Sequence, residues 1–234
     1  MIWLLPLLGF LLGSIPFGLL MGKLKGIDIR QHGSGNIGAT NVFRTLGKGN
    51  GIICLLLDFL KGFIPVVIAS NLCKIDGQGI PVTIEALQSW DFGLGSEQLL
   101  MAQIVPVVTA FASIMGHNYS PWIGFKGGKG IATTGGAFAA LMPFGIPILI
   151  LIWSIFTFTT KYVSVGSIAA GVCLPLMSIF GSWKHGKLAS GEWNKPLFIL
   201  ALVSGILAIW KHRGNIARLR AGTENKIGSQ KKSS

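Results

Sequence analysis

Three stretches of this sequence combine glycine, hydroxyl, amide and basic residues in a way suited to holding phosphate. The first reads Gly33-Ser34-Gly35-Asn36-Ile37-Gly38-Ala39-Thr40-Asn41 and is followed by Arg44. Glycines leave backbone N–H groups open to an anion, hydroxyls and amides add donors, and an arginine brings a two-pronged positive charge. The stretch contains a formal GxGxxG. A dinucleotide loop, however, needs that pattern between a strand and a helix, with an acid about 20 residues on. Here it follows an apolar run and a basic stretch, and the next acid, Asp58, lies inside another apolar run. The nucleotide reading is therefore rejected, leaving an anion cradle, with a flexible glycine turn as the plainer alternative.

The second stretch reads Gly116-His117-Asn118-Tyr119-Ser120-Pro121-Trp122, then Phe125-Lys126-Gly127-Gly128-Lys129-Gly130. It is not a Walker A loop, because Ile123 stands five residues before Gly128 and Lys129 is followed by glycine rather than serine or threonine. Lys126 and Lys129 flank a glycine pair directly before an apolar segment, so a helix N-terminus and both ammonium groups are expected to converge on one phosphate. The plainer alternative is a pair of cytoplasmic retention charges. The third stretch runs Lys211-His212-Arg213-Gly214-Asn215-Ile216-Ala217-Arg218, then Gly222 and Glu224-Asn225-Lys226. If a helix continues through it, His212, Asn215 and Arg218 recur every three residues near one face. They would meet a common ligand, or else snorkel toward anionic lipid. Within the apolar run after the first stretch, Asp58 and Lys61 are spaced to pair at i and i+3 as a structural ion pair.

The elements that must carry these stretches are membrane helices. Half of the 234 residues are hydrophobic, 33 are glycine, and only 20 basic and 8 acidic residues are present. Soluble domains average about 25% charged residues. The net charge of +12 lies between apolar runs rather than on a hydrophilic face, which argues against nucleic acid as a partner. Cys54, Cys73 and Cys173 stand apart from one another and from histidine, so no disulfide or zinc site is expected. The first apolar run lacks a basic n-region and a small-residue cleavage site, and it is kept as a membrane helix.

About 20 apolar residues cross a hydrocarbon core. The segments that qualify are Met1 to Gly22, Gly49 to Leu72, Leu99 to Gly116, Gly130 to Thr160, Tyr162 to Trp183, and the shorter Pro196 to Trp210. As a single helix, Gly130 to Thr160 would extend about 46 Å. Pro143 and Pro147 interrupt it, so it is divided near Pro143 into two short helices. The expected fold class is an all-α integral membrane protein of seven transmembrane helices, or five if this region is partly re-entrant. Residues 1–234 form a single domain with a polar, disordered tail at 227–234.

Lys23, Lys25, Arg30, Arg44 and Lys48 after the first helix, and Lys211 to Lys232 in the tail, set both regions on the cytoplasmic side. The acid-rich segment from Lys74 to Gln98 then lies outside. The N-terminus is outside and the C-terminus cytoplasmic, with Lys184, Lys187 and Lys195 left outside against the rule.

Taken together, GSGNIGATN with Arg44, GHNYSPWIGFKGGKG and KHRGNIARLRAGTENK resemble the three signature loops of the bacterial acyl-phosphate:glycerol-3-phosphate acyltransferase family, PlsY. The DFLKG after the first loop and the order of apolar segments extend the likeness over most of the chain. Lys211 stands where the family usually has arginine, and the segment from Lys74 to Gln98 is longer than the connection expected there. The resemblance implies a seven-helix enzyme of the bacterial inner membrane with its active site on the cytoplasmic side. It would move a fatty acyl group from acyl phosphate to the 1-hydroxyl of sn-glycerol 3-phosphate, without cofactor, giving lysophosphatidate and phosphate.

The implied partners are acyl phosphate, glycerol 3-phosphate, membrane lipid, and the soluble enzyme that makes acyl phosphate at the membrane surface. No histidine is followed by aspartate in the HxxxxD spacing of the other large acyltransferase class, which argues against a CoA donor. By the resemblance, Lys126 and Lys129 hold the acyl phosphate, while Ser34, Arg44, His212 and Asn215 surround glycerol 3-phosphate. The candidate catalytic residues are Ser34, Lys129 and His212. The candidate binding residues are Gly33, Gly35, Asn36, Thr40, Asn41, Arg44, His117, Lys126, Gly127, Gly128, Asn215 and Arg218, with no metal ligand. Ser34 either orients the attacking hydroxyl or is itself acylated; direct transfer is favoured because no histidine–acid pair adjoins it. The proton goes to His212 or to a substrate phosphate. The alternative class of function is a membrane carrier for an organic phosphate.

Overall fold

The computed structural model describes residues 2–75, 79–90, 94, 98–191 and 193–227. The described residues include ten α-helices: α1 (Leu4–Gly13), α2 (Phe17–Leu24), α3 (Ala39–Leu46), α4 (Lys48–Leu72), α5 (Leu99–Asn118), α6 (Ile131–Leu141), α7 (Ile146–Thr160), α8 (Val163–Lys184), α9 (Lys195–Lys211) and α10 (Arg213–Arg220). Hydrocarbon offers the backbone no partner, so apolar runs close their hydrogen bonds internally as helices. Their outer faces carry large side chains with no protein against them, among them Leu7, Leu8 and Leu11 on α1, Ile52 and Leu56 on α4, and Ile150 and Leu151 on α7. A protein in water would not leave such continuous apolar faces uncovered; in a bilayer they contact lipid.

Among the described residues, five helical segments are long and apolar enough to cross a membrane: Leu4–Leu24, Lys48–Leu72, Leu99–Ile123, Pro143–Thr160 and Val163–Lys184. A sixth results if α9 and α10, bent by 49°, count as one. The expected interruption near Pro143 is present, with a short 3-10 turn at Pro143–Gly145 between α6 and α7. At 11 residues, α6 is about 16 Å long, roughly half the hydrocarbon thickness.

Two sequence expectations need correction. The first apolar run is not one continuous helix, because Pro16 cannot donate to the helical ladder and the chain breaks between α1 and α2. The freed carbonyls are taken up from distant parts of the chain. Ser120 donates its hydroxyl to the Ser14 carbonyl at 2.6 Å, and the Lys61 ammonium donates to the Ile15 carbonyl at 2.8 Å. Nor does the last helix run straight into the tail. It bends at His212, which ends α9 and begins α10, so the three-residue repeat of His212, Asn215 and Arg218 spans a break rather than one helical face.

Small residues draw the helices together, as expected where lipid supplies no hydrophobic drive for association. At the α4–α6 crossing, a Cβ on Gly62 would stand 2.1 Å from the Thr133 carbonyl oxygen, and one on Gly136 would stand 2.0 Å from that of Phe59. Around this crossing lies the main core, with Val66 and Val67 from α4, Ala110 and Ile114 from α5, and Phe138 from α6, joined by Leu149, Leu174 and Leu200 from α7, α8 and α9. Gly136→Leu is expected to force the two backbones apart. It should cost about 3 kcal/mol and lower the melting temperature in detergent by roughly 6–12 °C. An unchanged melting temperature would contradict this crossing.

Cys54 and Cys73 are buried and Cys173 half-buried, all as free thiols, with Cys54 beside the Asp58 carboxylate. In the segment from Lys74 to Gln98, the amide of Asn71 anchors residues 82–84: its Nδ2 donates to the Val82 carbonyl and its Oδ1 accepts from the Ile84 N–H. Asp76, Asp91 and Glu97, on which the outward assignment of this segment leans, lie outside the described residues. In the tail, Ile227 is described and donates its N–H to the Lys161 carbonyl, whereas the expectation of disorder for 228–234 lies outside the described residues.

Candidate active site

All three sequence stretches meet at one cavity of about 170 Å³, and four helices begin at its wall. Gly38, Ala39 and Thr40 open α3; Gly130, Ile131 and Ala132 open α6; Val163 and Ser164 open α8; His212 leads into α10, which contributes Asn215. None of these helices has a side-chain hydrogen bond capping its first turn. Their leading N–H groups therefore remain available, and the helix dipoles add positive potential at the same place. Such convergence is suited to an anion. Lys129 and Arg44 supply formal positive charge in the same wall.

Of the candidate residues, Ser34, Asn36, Thr40, Arg44, His117, Lys129, His212 and Asn215 line this cavity. Lys129 stands just before α6, as the sequence suggested, and its ammonium donates to Oδ1 of Asn215. Burial, reinforced by Arg218 and Arg44, pulls the Lys129 pKa down to about 8 despite the counter-charge of Glu224. Burial and the neighbouring Lys129 likewise bring His212 down to about 4, so its imidazole is neutral at physiological pH. Its Nδ1 lies 2.7 Å from the Ala208 carbonyl. A neutral imidazole can only donate to that oxygen, which leaves Nε2 as the acceptor nitrogen.

The remaining candidates do not line the cavity. Asn41 is fully buried; its Nδ2 donates to the Ile29 and His32 carbonyls and its Oδ1 accepts from the Ser34 N–H at 2.8 Å. Gly33, at φ +62°, lies so close that a Cβ would meet the Asn41 amide oxygen at 2.2 Å. Gly33 and Asn41 thus shape the turn that presents Ser34, and Gly35 follows in the same turn at φ +70°. Gly127 and Gly128 pack on the end of α5, where a Cβ would meet the His117 carbonyl oxygen or its imidazole. Lys126 is exposed and is not part of the lining, so the expected convergence of two lysines on one phosphate is not formed. Arg218 acts at one remove, donating from Nε to Glu224 Oε2 at 2.7 Å.

Glu224 was not among the sequence candidates. Its Oε1 accepts from Asn215 Nδ2 at 2.6 Å and from the Ser164 hydroxyl at 3.1 Å. Burial pushes its carboxyl up, but the Asn215 and Arg218 donors outweigh that and hold it below the ordinary glutamate value. The one signal available in the sequence is an acid standing alone in a basic tail. Trp153, Ser164 and Ser167 also line the cavity from α7 and α8, and no motif marks them. Asp58, read as half of a structural pair, is in the wall as well. Among the described residues, no group of three His, Cys, Asp or Glu side chains is arranged to hold a metal ion.

Residues 3–222 match the family described as glycerol-3-phosphate acyltransferase. The chain belongs to that family. A glycerol-3-phosphate acyltransferase of Desulforamulus reducens is 40% identical over 95% of this chain and 93% of its own length, and one of Geobacter sulfurreducens is 38% identical over 96% of each. The fold is similar to a crystal structure described as PlsY, an integral membrane glycerol 3-phosphate acyltransferase, in its glycerol 3-phosphate form. That match has a TM-score of 0.74 at 38% identity, covering 97% of this chain and 96% of that one. A second PlsY crystal structure, the lysophosphatidic acid form, matches with a TM-score of 0.72 at 37% identity, covering 97% and 95%. As a member of the glycerol-3-phosphate acyltransferase family, this chain is a multi-pass membrane acyltransferase. Its three basic stretches border one cavity.

Proposed function

We propose that this protein transfers a fatty acyl group from acyl phosphate to the 1-hydroxyl of sn-glycerol 3-phosphate, releasing lysophosphatidate and phosphate. The observation that carries the reading is the gathering of helix N-termini, Lys129 and Arg44 at one cavity. Both substrates bring phosphate, and an acyl phosphate already has a good leaving group. The site then has to align and stabilise more than to activate. Relatives whose structures are described as glycerol 3-phosphate and lysophosphatidic acid forms favour acyl transfer over carriage of an organic phosphate.

In this mechanism Arg44 and the start of α3 clamp the acceptor phosphate, while Lys129 and the start of α6 receive the phosphate that leaves. Ser34, Asn215 and the acceptor nitrogen of His212 orient the attacking hydroxyl. Its oxygen bonds to the acyl carbonyl carbon, the carbon–oxygen bond to phosphate breaks, and the hydroxyl proton passes to the departing phosphate. With a pKa near 4, His212 is a weaker base at neutral pH than a phosphate with pKa near 6, so it serves as a hydrogen-bond acceptor. Purified protein given acyl phosphate and glycerol 3-phosphate should form lysophosphatidate, and acyl-CoA or acyl carrier protein should not replace the donor. Equal rates with either thioester would overturn the donor assignment.

The site is proposed to face the cytoplasm of a bacterial inner membrane, within reach of the soluble enzyme that makes acyl phosphate. Single cysteines at Trp122 and Ala221, both exposed, in a cysteine-free background should resist an impermeant thiol reagent added outside intact cells. They should label after the membrane is opened. Strong labelling from outside would reverse the orientation.

A further inference from the structure

Asp58 is 2% exposed in the cavity wall, and its pairing with Lys61 leaves a second neighbour unexplained. The Lys61 ammonium stands 2.8 Å from Asp58 Oδ1 and also donates to the Ile15 carbonyl at the α1–α2 break. On the other side, His117 Nδ1 lies 3.6 Å from the same Oδ1, beyond hydrogen-bond length, and has no other hydrogen-bond partner. The Cys54 thiol, at 3.8 Å from Oδ2, is the remaining polar neighbour. Buried polar atoms without partners are costly, and charges inside a membrane protein usually serve a site. A small shift of the imidazole would give His117 Nδ1 a partner in Asp58 Oδ1, which already faces the Lys61 ammonium. His117 also governs the second loop, because Gly128 donates its N–H to the His117 carbonyl at 3.1 Å and packs against the imidazole.

We propose that Asp58 is a positioning residue for acyl transfer: it holds the Nδ1–H of His117, which seats Nε2 against Gly128 and steadies the glycine pair ahead of Lys129. This inference rests on the acyltransferase reading. An ion pair with a structural role alone requires matched charge, whereas a positioning role requires an acceptor facing His117. Two neutral replacements separate these requirements. Asp58→Asn with Lys61→Gln keeps an acceptor, and Asp58→Leu with Lys61→Gln removes it at similar size; both retain a donor for the Ile15 carbonyl.

The asparagine pair should keep turnover within about threefold of the parent. The leucine pair should lose tenfold or more in kcat at a similar melting temperature, and should add no further loss in a His117→Gln background. Equal activity of the two pairs, or a full additional loss in that background, would overturn the proposal. Nitrogen-15 spectra of histidine-labelled parent protein provide a measurement that does not depend on any variant folding. The His117 signals, assigned by their loss in His117→Gln, should report the Nδ1–H tautomer, and an Nε2–H tautomer would refute the role of Asp58. A parent that transfers no acyl group to glycerol 3-phosphate would overturn the acyltransferase reading instead, and the tautomer would still decide whether Asp58 holds His117.

Discussion

Replacing Lys129 with methionine is expected to lower turnover by about 10² to 10³, the scale of removing one preorganised donor from a site where negative charge develops. The loss should appear in kcat more than in the KM for glycerol 3-phosphate, because the proposed work of Lys129 is on the phosphate that gains charge as the acyl bond breaks. Its pKa near 8 adds an independent signature. The ammonium loses its proton as pH rises through that value, so kcat/KM for the donor should fall on the alkaline side with a midpoint near 8. Bound phosphate favours the charged form and should move the corresponding limb of kcat upward. Arginine stays charged throughout this range, so Lys129→Arg, though less active because its fork fits the lysine site poorly, should lack that limb. A methionine variant with parental turnover, or an arginine variant that still declines near pH 8, would remove Lys129 from the mechanism.

Glu224→Gln should be the second most damaging change, although the residue carries the wrong charge to bind a phosphate. Its carboxylate holds Asn215, Ser164 and Arg218, and Asn215 in turn accepts from Lys129. Without the negative charge, Arg218, Arg44 and Lys129 face one another uncompensated, and the amide that orients Lys129 loses its anchor. A charged hydrogen-bond cluster of this kind is worth about 2–3 kcal/mol, so the melting temperature should fall by several degrees and turnover by tenfold or more. The sign of the pH effect follows from the depressed carboxyl. Its stabilisation is complete above the ordinary glutamate value of 4.5 and is lost as pH falls below that toward the folded-state value. Parent protein should therefore lose melting temperature on acidification in that range, and the glutamine variant should lose less. A variant as stable and active as the parent would mean that Glu224 merely neutralises charge.

What could be read in the sequence was what local spacing encodes. Apolar runs gave the helices, Pro143 gave the turn between α6 and α7, and the i, i+3 spacing of Asp58 and Lys61 gave their 2.8 Å ion pair. The start of α6 just after Lys129 was also visible, because a glycine-rich loop preceded an apolar run. Hidden features depend on contacts between distant parts of the chain. Nothing near Ser14 announces Ser120 and Trp122, 106 and 108 residues away, as the partners of its carbonyl and hydroxyl. Similarly, the Lys211 ammonium donates to the Asn118 carbonyl 93 residues away and lies over the Tyr119 ring, so it ties the tail to α5 rather than reaching toward lipid. Glu224 escaped notice because the tail folds back across α10 to reach Ser164 on α8, and no periodicity records such a return. Lys126 and Lys129 were separated by the same kind of effect, since Gly127 and Gly128 seat the loop against α5 and leave only the second lysine in the cavity wall.

The broken first helix bears on the order in which the protein can be assembled. As α1 and α2 leave the ribosome, the Ser14 carbonyl has no partner yet made, whereas the Ile15 carbonyl already accepts from the Phe17 N–H at 3.1 Å. Lys61 follows 46 residues later and the Ser120 hydroxyl 106 residues later. Until Ser120 has been synthesised and has reached the membrane, the Ser14 carbonyl must be met by water or by the insertion machinery, because hydrocarbon offers no donor. The N-terminal segment can therefore enter the bilayer early but cannot complete its hydrogen bonds at the α1–α2 break early. Its last hydrogen bonds wait for Lys61 on α4, whose partner Asp58 stands in the cavity wall, and for Ser120 after α5. The first membrane segment and the cavity thus share α4 as one support, with Lys61 reaching the break and Asp58 the wall.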